Sequence, residues 1–251
     1  MSSAPDTHQR VDLGPAPALT GAVPSRRILA GHTAGTGPAA GSGRKFAAEL
    51  IGTFALVFTV GSTIFATGTL DPLAVGAVIM VLVYATGHIS GGHINPAVTL
   101  GVLVRGRIGL ADAIGYWAVQ LVGGLLAGLL ARWVFAPAHV TAKALSGHVL
   151  GAALVGELLF TFMLVFVMLN VATSRDHPGN SFYGLAIGFT VLAGAVAVGG
   201  ISGGVFNPAV FLGGAIMGAF AWSTIWVYLV AEVLAGVLAG LAFRVLNPAD
   251  R

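Results

Sequence analysis

Long apolar segments without charged side chains, separated by short polar ones, make up most of the chain after about residue 45. No Asp, Glu, Lys or Arg occurs in four stretches, which are residues 50–70, 72–104, 113–131 and 177–231. A helix of about 20 apolar residues is long enough to cross a bilayer. The pattern therefore predicts six spanning helices, at approximately 46–67, 73–90, 112–134, 148–172, 182–200 and 222–245.

Two further helical stretches are too short to cross. They begin at Asn95 and Asn207 and extend for only about ten residues each, half of what a span requires. The predicted fold class is an all-α integral membrane protein with six transmembrane helices and two re-entrant half-helices. Composition agrees, because 8% of the residues are charged, against about 25% in a soluble domain. Small residues spaced four apart predict close helix packing, as in Gly124/Gly128 and Gly236/Gly240.

The first 44 residues differ from the rest in being rich in Pro, Gly, Ala, Ser and Thr, with no apolar core of a signal peptide. This composition predicts a disordered N-terminal cytoplasmic tail over residues 1–44 and one membrane domain over residues 45–251.

The basic residues are distributed unevenly across the predicted membrane. If the tail is cytoplasmic, ten of the 12 Lys and Arg residues lie on the inner side, and only Arg132 and Lys143 lie outside. This bias predicts a protein of the cell membrane with both termini in the cytoplasm. The cations sit at segment ends rather than on one face with interleaved aromatics, so the net charge of +3 does not indicate a nucleic-acid partner.

The membrane domain contains an internal repeat. Residues 49–58 resemble residues 157–166, and residues 91–98 resemble residues 203–210. The first repeat covers about 45–135 and the second about 148–246. Each holds three full spans, an odd number, so the second repeat is inverted relative to the first, and a site is expected near the bilayer midplane where they meet.

Each repeat carries the motif Asn-Pro-Ala directly after a Ser-Gly-Gly segment, at Asn95, Pro96, Ala97 and at Asn207, Pro208, Ala209. Asn is a preferred N-cap, and Pro is tolerated at the first helical position, so each motif predicts a helix start. Inversion points two positive helix starts at each other in the middle of the membrane. Cations are disfavoured there, while both Asn side chains have N–H groups to offer a passing oxygen.

A single motif would indicate no more than a helix start, but two at matching positions of an inverted repeat resemble the aquaporin or major intrinsic protein family. The resemblance covers about residues 45–246. It implies a passive transmembrane channel for water and small uncharged solutes in the lipid bilayer, without a cofactor, assembled as a homotetramer with one pore per subunit. The two Asn residues would lie at the pore centre, and the Pro and Ala residues would hold the two helix starts together.

The resemblance also assigns roles to residues around the two motifs. Glu49 and Glu157 match the family's two buried glutamates, which hold the re-entrant loops through backbone hydrogen bonds. An ionisable side chain inside a span is costly and is usually paired, which agrees with that structural role. Backbone carbonyls lining the pore would come from Gly91, Gly92, His93, Gly203, Gly204 and Val205.

The expected selectivity filter departs from the family pattern. Family members usually carry an Arg directly after the second motif, where this chain has Val210. Counting without gaps from Asn95 and Asn207 to the family's filter positions gives the complete filter as Val75, Ala195, Gly204 and Val210. This small, apolar quartet lacks a charged donor and predicts passage of solutes such as glycerol, urea, ammonia, hydrogen peroxide or a metalloid hydroxide. An apolar ring that dewets and gates the pore is the opposite possibility.

Two other functions remain open at this point. Inverted repeats with broken helices also occur in ion-coupled secondary transporters, although both Asn-Pro-Ala loops lack the acidic residues that coupling usually needs. A non-conducting structural or sensory protein could use the same scaffold. No catalytic, phosphate-binding or metal signature indicates an enzyme or a metal site, since the chain has no Cys and His88 and His93 have no third ligand nearby. Glu232 in the last span has no evident role.

Overall fold

The computed structural model describes residues 41–66, 68–135, 140–143 and 145–250. Within these ranges it has eight α-helices, namely α1 (Ser42–Ala66), α2 (Asp71–Ser90), α3 (Pro96–Arg105), α4 (Leu110–Phe135), α5 (Gly147–Met168), α6 (Tyr183–Ser202), α7 (Pro208–Met217) and α8 (Ile225–Leu246). A π-helical turn, Leu169–Thr173, continues α5, and a 3-10 turn, Trp222–Thr224, precedes α8. Six helices are long and apolar enough to cross a membrane, and α3 and α7 are short, which confirms the predicted fold class.

The helix ends lie within a few residues of the predicted ones. The main correction concerns α1, which begins at Ser42, so that residues 42–44 of the predicted tail are helical. The extra turn is held by Lys45, whose Nζ lies 3.7 Å from a carboxylate oxygen of Asp112, and by Phe46, whose ring meets that of Tyr116 edge-on at 6.0 Å. The rest of the predicted tail lies outside the described residues.

The outer surface of the spanning helices is apolar. Trp133, Val196 and Val245 are 77%, 68% and 76% exposed, and many other Leu, Val and Phe side chains on the same surface are also exposed. Such a surface is unfavourable in water and suits the hydrocarbon of a bilayer.

The two half-helices each pack against a spanning helix of the other repeat. A Cβ placed on Gly124 of α4 would lie 2.6 Å from the carbonyl oxygen of Ala209, at the start of α7. A Cβ on Gly236 of α8 would lie 2.7 Å from the carbonyl oxygen of Ala97, at the start of α3. Only glycine permits both close approaches, so these two positions fix the depth at which the half-helices begin.

Candidate pore

The two Ser-Gly-Gly segments end spanning helices and turn the chain back into the membrane. Gly91 caps α2 with a φ of 93°, and Gly203 caps α6 with a φ of 101°, a region that favours glycine. Ile94 and Phe206, directly before the two Asn residues, have φ values of 42° and 48°. Positive φ is unusual in a β-branched or bulky residue and persists only where its surroundings fix it.

Glu49 fixes the first of these loops. Its carboxylate is fully buried and accepts backbone hydrogen bonds from His93 (2.9 Å) and Ile94 (2.6 Å). It also accepts bonds from Ser90 Oγ (2.7 Å) and Gln120 Nε2 (2.8 Å). Four donors compensate for the cost of burying this carboxylate, and two of them hold the strained backbone in place.

Glu157 does the same for the second loop. It is fully buried and accepts hydrogen bonds from the backbone N–H groups of Val205 (2.9 Å) and Phe206 (2.7 Å). The structure therefore brings each glutamate to the loop that precedes the Asn-Pro-Ala motif of its own repeat.

Two tyrosines complete the loop supports and were not singled out from the sequence. Tyr116 Oη donates to the carbonyl of Ser90 at 2.7 Å, and Tyr228 Oη donates to the carbonyl of Ser202 at 2.6 Å. Both tyrosines are buried. The separation of Tyr116 and Tyr228 along the chain equals that of Asn95 and Asn207, and this repeat spacing could have identified the two tyrosines.

The two asparagines cap their half-helices and also bond across the repeats. Asn95 Oδ1 accepts the N–H of Ala97 at 2.8 Å, and Asn207 Oδ1 accepts that of Ala209 at 2.9 Å. Asn95 Nδ2 donates to the carbonyl of Phe206 at 2.8 Å, and Asn207 Nδ2 donates to that of Ile94 at 3.0 Å. Each amide has two N–H groups, so one further donor per Asn is available to a permeant.

Two small cavities meet at these asparagines, each with a volume of about 20 Å³, enough for a water molecule. Asn95 and Asn207 line both cavities, as do the apolar side chains of Leu56, Ile79 and Leu164. The cavity we call inner lies on the side of the first loop, and the outer cavity lies on the side of the second loop. Both cavities therefore adjoin the two helix starts.

The outer cavity holds most of the expected filter. Val75, Gly204 and Val210 line it, and the other lining side chains are uncharged. On α6 the lining residue is Val191, one turn before the expected Ala195. Ala195 also lies close to this wall, since its Cα is 3.2 Å from where a Cβ on Gly204 would be.

The residues expected to present carbonyls divide into two groups. Gly92 and His93 line the inner cavity, and Gly204 and Val205 line the outer one. Gly91 and Gly203 instead end α2 and α6 as C-caps.

His93 is held in the wall of the inner cavity. Its Nδ1 lies 3.1 Å from Thr99 Oγ1, and its ring packs edge-on against Tyr116 with 5.1 Å between ring centroids. His88, the other histidine noted in the sequence, is exposed.

Glu232 occupies the place in α8 that Gln120 occupies in α4. Gln120 Nε2 donates to Glu49 and to Thr99 Oγ1 at 3.0 Å. Glu232 is fully buried, and neither of its carboxyl oxygens has a hydrogen-bond partner among the residues that the structure describes. It faces Glu157 and the backbone N–H of Asn207 without hydrogen-bonding geometry to either.

A family model described as Major intrinsic protein matches residues 66–243, which include both Asn-Pro-Ala motifs. The chain belongs to the major intrinsic protein family. Like the other proteins of the family it is a passive channel for water and small solutes, and the relatives that it matches are channels rather than enzymes.

Individual relatives agree with this family assignment. The chain is 40% identical to "Glycerol uptake facilitator protein-like 6" of Lactiplantibacillus plantarum, over 82% of this chain and 100% of the relative. It is 34% identical to "Nodulin-26" of Glycine max, over 83% of this chain and 79% of the relative. Its fold is shared with the aquaglyceroporin from Plasmodium falciparum, with a TM-score of 0.70, 22% identity, and coverage of 83% of this chain and 98% of that one.

Proposed function

We propose that this major intrinsic protein conducts uncharged solutes larger than water, of the class of glycerol, urea, ammonia, hydrogen peroxide or a metalloid hydroxide. The observation that carries the proposal is the lining of the outer cavity by Val75, Gly204 and Val210, with uncharged side chains throughout. A fixed cation at position 210 would add a hydrogen-bond donor, narrow the opening and oppose other cations. Without it, a solute with an apolar carbon skeleton meets an apolar wall.

The centre of the path remains selective in this proposal. Asn95 and Asn207 each have one N–H group beyond the bond that joins the repeats. Together they orient a permeant oxygen between two helix starts, each of which carries roughly half a positive charge. Backbone carbonyls of Gly92, His93, Gly204 and Val205 supply acceptors on either side. Cations are therefore disfavoured at the centre even though the outer filter is uncharged.

The name of one relative supports a solute larger than water. "Glycerol uptake facilitator protein-like 6" is named for glycerol uptake and aligns over its full length with this chain. The shared length makes glycerol the first solute to test.

The proposed setting is a homotetramer in the cell membrane, with one pore per subunit and both termini in the cytoplasm. Six spans return the chain to the side on which it began, and ten of the 12 cations then lie inside. The exposed apolar surface suits both lipid and neighbouring subunits.

Flux through purified protein in proteoliposomes tests the proposed permeants. Osmotic gradients of glycerol and urea should produce solute entry through the native channel as well as water flow. Val210→Arg should reduce glycerol entry by roughly tenfold relative to water, because it adds bulk and a charge to the outer cavity. Val210→Ile serves as the control, since it adds a methylene without a charge and should retain most of the glycerol entry.

Two results would overturn the proposal. One is a native channel that passes water alone, with no change in any solute ratio in Val210→Arg. The other is solute entry that saturates and follows a proton gradient, which would indicate a coupled transporter.

A further inference from the structure

The outer side of this channel has few positive charges. With the termini inside, the outer segments carry only Arg132 and Lys143 among the 12 Lys and Arg residues. Position 210, directly after the second Asn-Pro-Ala motif, is an uncharged Val that lines the outer cavity. Any fixed positive charge at the outer mouth must therefore come from one of these two side chains.

Lys143 lies in the segment between α4 and α5 and is docked on the second repeat. Its backbone N–H donates to the carbonyl of Ala219 at 2.8 Å, and it forms an isolated bridge with Phe220. The Phe220 ring in turn packs on the second loop, 2.6 Å from where a Cβ on Gly203 would be. These contacts hold the Lys143 backbone against the residues that follow α7.

The ammonium group of Lys143 lies on the last turn of α6. Nζ is 2.7 Å from the carbonyl oxygen of Gly200 and 3.3 Å from that of Gly199. The Cα of Gly199 is only 3.5 Å from where a Cβ on Gly204 would be, and Gly204 lines the outer cavity. Gly199 of α6 therefore lies between the ammonium group of Lys143 and Gly204 in the wall of the outer cavity.

A lysine at this place also caps a helix, since the last carbonyls of α6 lack partners within the helix and carry partial negative charge. Arg132 does the same for α7, where its Nη1 donates to the carbonyl of Ile216 at 3.3 Å. The two cations differ in their surroundings, because Arg132 is exposed and Lys143 is partly buried. Burial lowers the pKa of Lys143, which indicates that solvent screens its charge incompletely.

We propose that Lys143 supplies the fixed positive charge that position 210 lacks, and thereby sets the exclusion of protons and other cations at the outer mouth. A charge beside a narrow, apolar opening acts through a medium of low dielectric constant, so it need not touch the permeant. Neutral solutes pass such a charge with little cost. This assignment rests on the proposed function, because it presumes that the outer cavity is the filter.

The test compares four variants in proteoliposomes. The quantity measured is the leak ratio, which is the proton leak reported by an internal pH dye divided by the water permeability measured by light scattering. Lys143→Gln should raise this ratio by roughly fivefold, because the repulsion by the charge is lost. Lys143→Arg and Arg132→Gln should stay near the native ratio. Adding Val210→Arg to Lys143→Gln should return the ratio to the native value or below.

A second measurement needs only proteins that keep Lys143. Raising the salt concentration from about 0.01 to 1 M shortens the screening length from about 30 to 3 Å, so the native leak should rise, and it should still rise in Arg132→Gln. The salt dependence tests the inference even if Lys143→Gln fails to fold.

Three results would overturn the inference. One is a leak ratio in Lys143→Gln equal to the native ratio, and another is a leak ratio at one salt concentration that Arg132→Gln raises as much as Lys143→Gln does. The third is a native leak that does not depend on salt. Glycerol and water flux are recorded in the same vesicles. A native protein that passes no solute refutes the proposed function, whereas normal solute flux with an unchanged leak in Lys143→Gln refutes only the role of Lys143.

Discussion

Asn95 and Asn207 bind each other's loops in a reciprocal pair of hydrogen bonds. Asn95 Nδ2 donates to the carbonyl of Phe206, the residue before Asn207, at 2.8 Å, and Asn207 Nδ2 donates to the carbonyl of Ile94, the residue before Asn95, at 3.0 Å. The two half-helix starts therefore form one unit at the repeat interface. A change in either side chain acts on both repeats.

Replacing Asn95 or Asn207 with Asp is expected to reduce water and solute flux by roughly fivefold and to weaken cation exclusion. Asp still caps a helix, so the half-helix should form. It cannot donate the hydrogen bond across the repeats, worth about 1 kcal/mol, and its charge opposes the field of the two helix starts. Flux and ion leak in proteoliposomes measure both effects.

Asn95→Ser separates the two causes, because Ser keeps a cap without adding a charge. Flux should fall in Asn95→Ser, while cation exclusion should stay close to native. Native flux and native exclusion in both Asp variants would show that the asparagines do not form the pore centre.

A cysteine introduced at Val210 should make the channel sensitive to mercurials. The native chain has no Cys, so direct, thiol-reversible inhibition is not expected. Val210 is 5% exposed and lines the outer cavity, where a bound mercury ion would fill the opening. Val196→Cys is the control. Val196 is 68% exposed on the apolar surface of the spanning helices, so a mercury ion bound to a Cys there should not block flux. Equal inhibition of both variants would contradict the position of the filter.

Asp250 is expected to make the stability of the protein fall in acid. Its Oδ1 lies 2.8 Å from Arg105 Nη2, 2.7 Å from Arg107 Nη2 and 3.3 Å from Arg175 Nε, and Arg105 is the last residue of the first half-helix. Burial by itself raises the pKa of Asp250, but hydrogen bonds from the Arg175 backbone and the Arg105 side chain outweigh it and leave the pKa below its ordinary value.

A carboxyl group whose pKa is lower in the folded state stabilises above its unfolded pKa of about 3.9 and loses that contribution as pH falls through the folded value. Asp250→Asn should therefore lower the free energy of unfolding at neutral pH by about 2 kcal/mol, between the values for surface and buried ion pairs. The difference from native should shrink below about pH 4. Thermal unfolding in detergent across pH measures this.

Asp176→Asn, in the exposed loop before α6, is the matched control and should have little effect at any pH. A difference between native protein and Asp250→Asn that does not shrink as the pH is lowered from 7 to 2 would contradict the assignment.

Glu232→Gln should stabilise the protein, and Gln120→Glu should destabilise it. Glu232 is fully buried without a hydrogen-bond partner among the described residues, and it faces Glu157. A glutamine there could donate to Glu157 as Gln120 donates to Glu49. Gln120→Glu would instead place a second carboxyl beside Glu49.

Each change should alter the unfolding temperature by roughly 2–4 °C, in opposite directions. A lower unfolding temperature in Glu232→Gln would contradict this prediction, since it would mean that the Glu232 carboxyl has a stabilising partner.

The sequence was sufficient for the features that local pattern controls. Apolar length predicted the six spans and the two short helices, and Asn followed by Pro predicted the starts of α3 and α7, where both Asn side chains act as N-caps. Helix ends were less predictable, because α1 begins at Ser42 through contacts of Lys45 and Phe46 with α4. Those contacts join residues far apart in the chain, and no local signal encodes them.

What the sequence alone determined was therefore the architecture and the two asparagines that begin the half-helices, since membrane spanning and helix capping depend on neighbours along the chain. Only the tertiary structure decided which atoms meet. Examples are the bond between Asn95 and the loop of Asn207, the lining of the outer cavity by Val191 of α6, and the placement of Lys143 on the end of α6. Each of these depends on the angle and depth at which helices of two inverted repeats pack, which glycines such as Gly124 and Gly236 fix at the points of closest approach. A displacement of one helical turn is enough to change which side chain reaches the pore wall, because residues four apart share a helix face, and counting along the chain does not report that displacement.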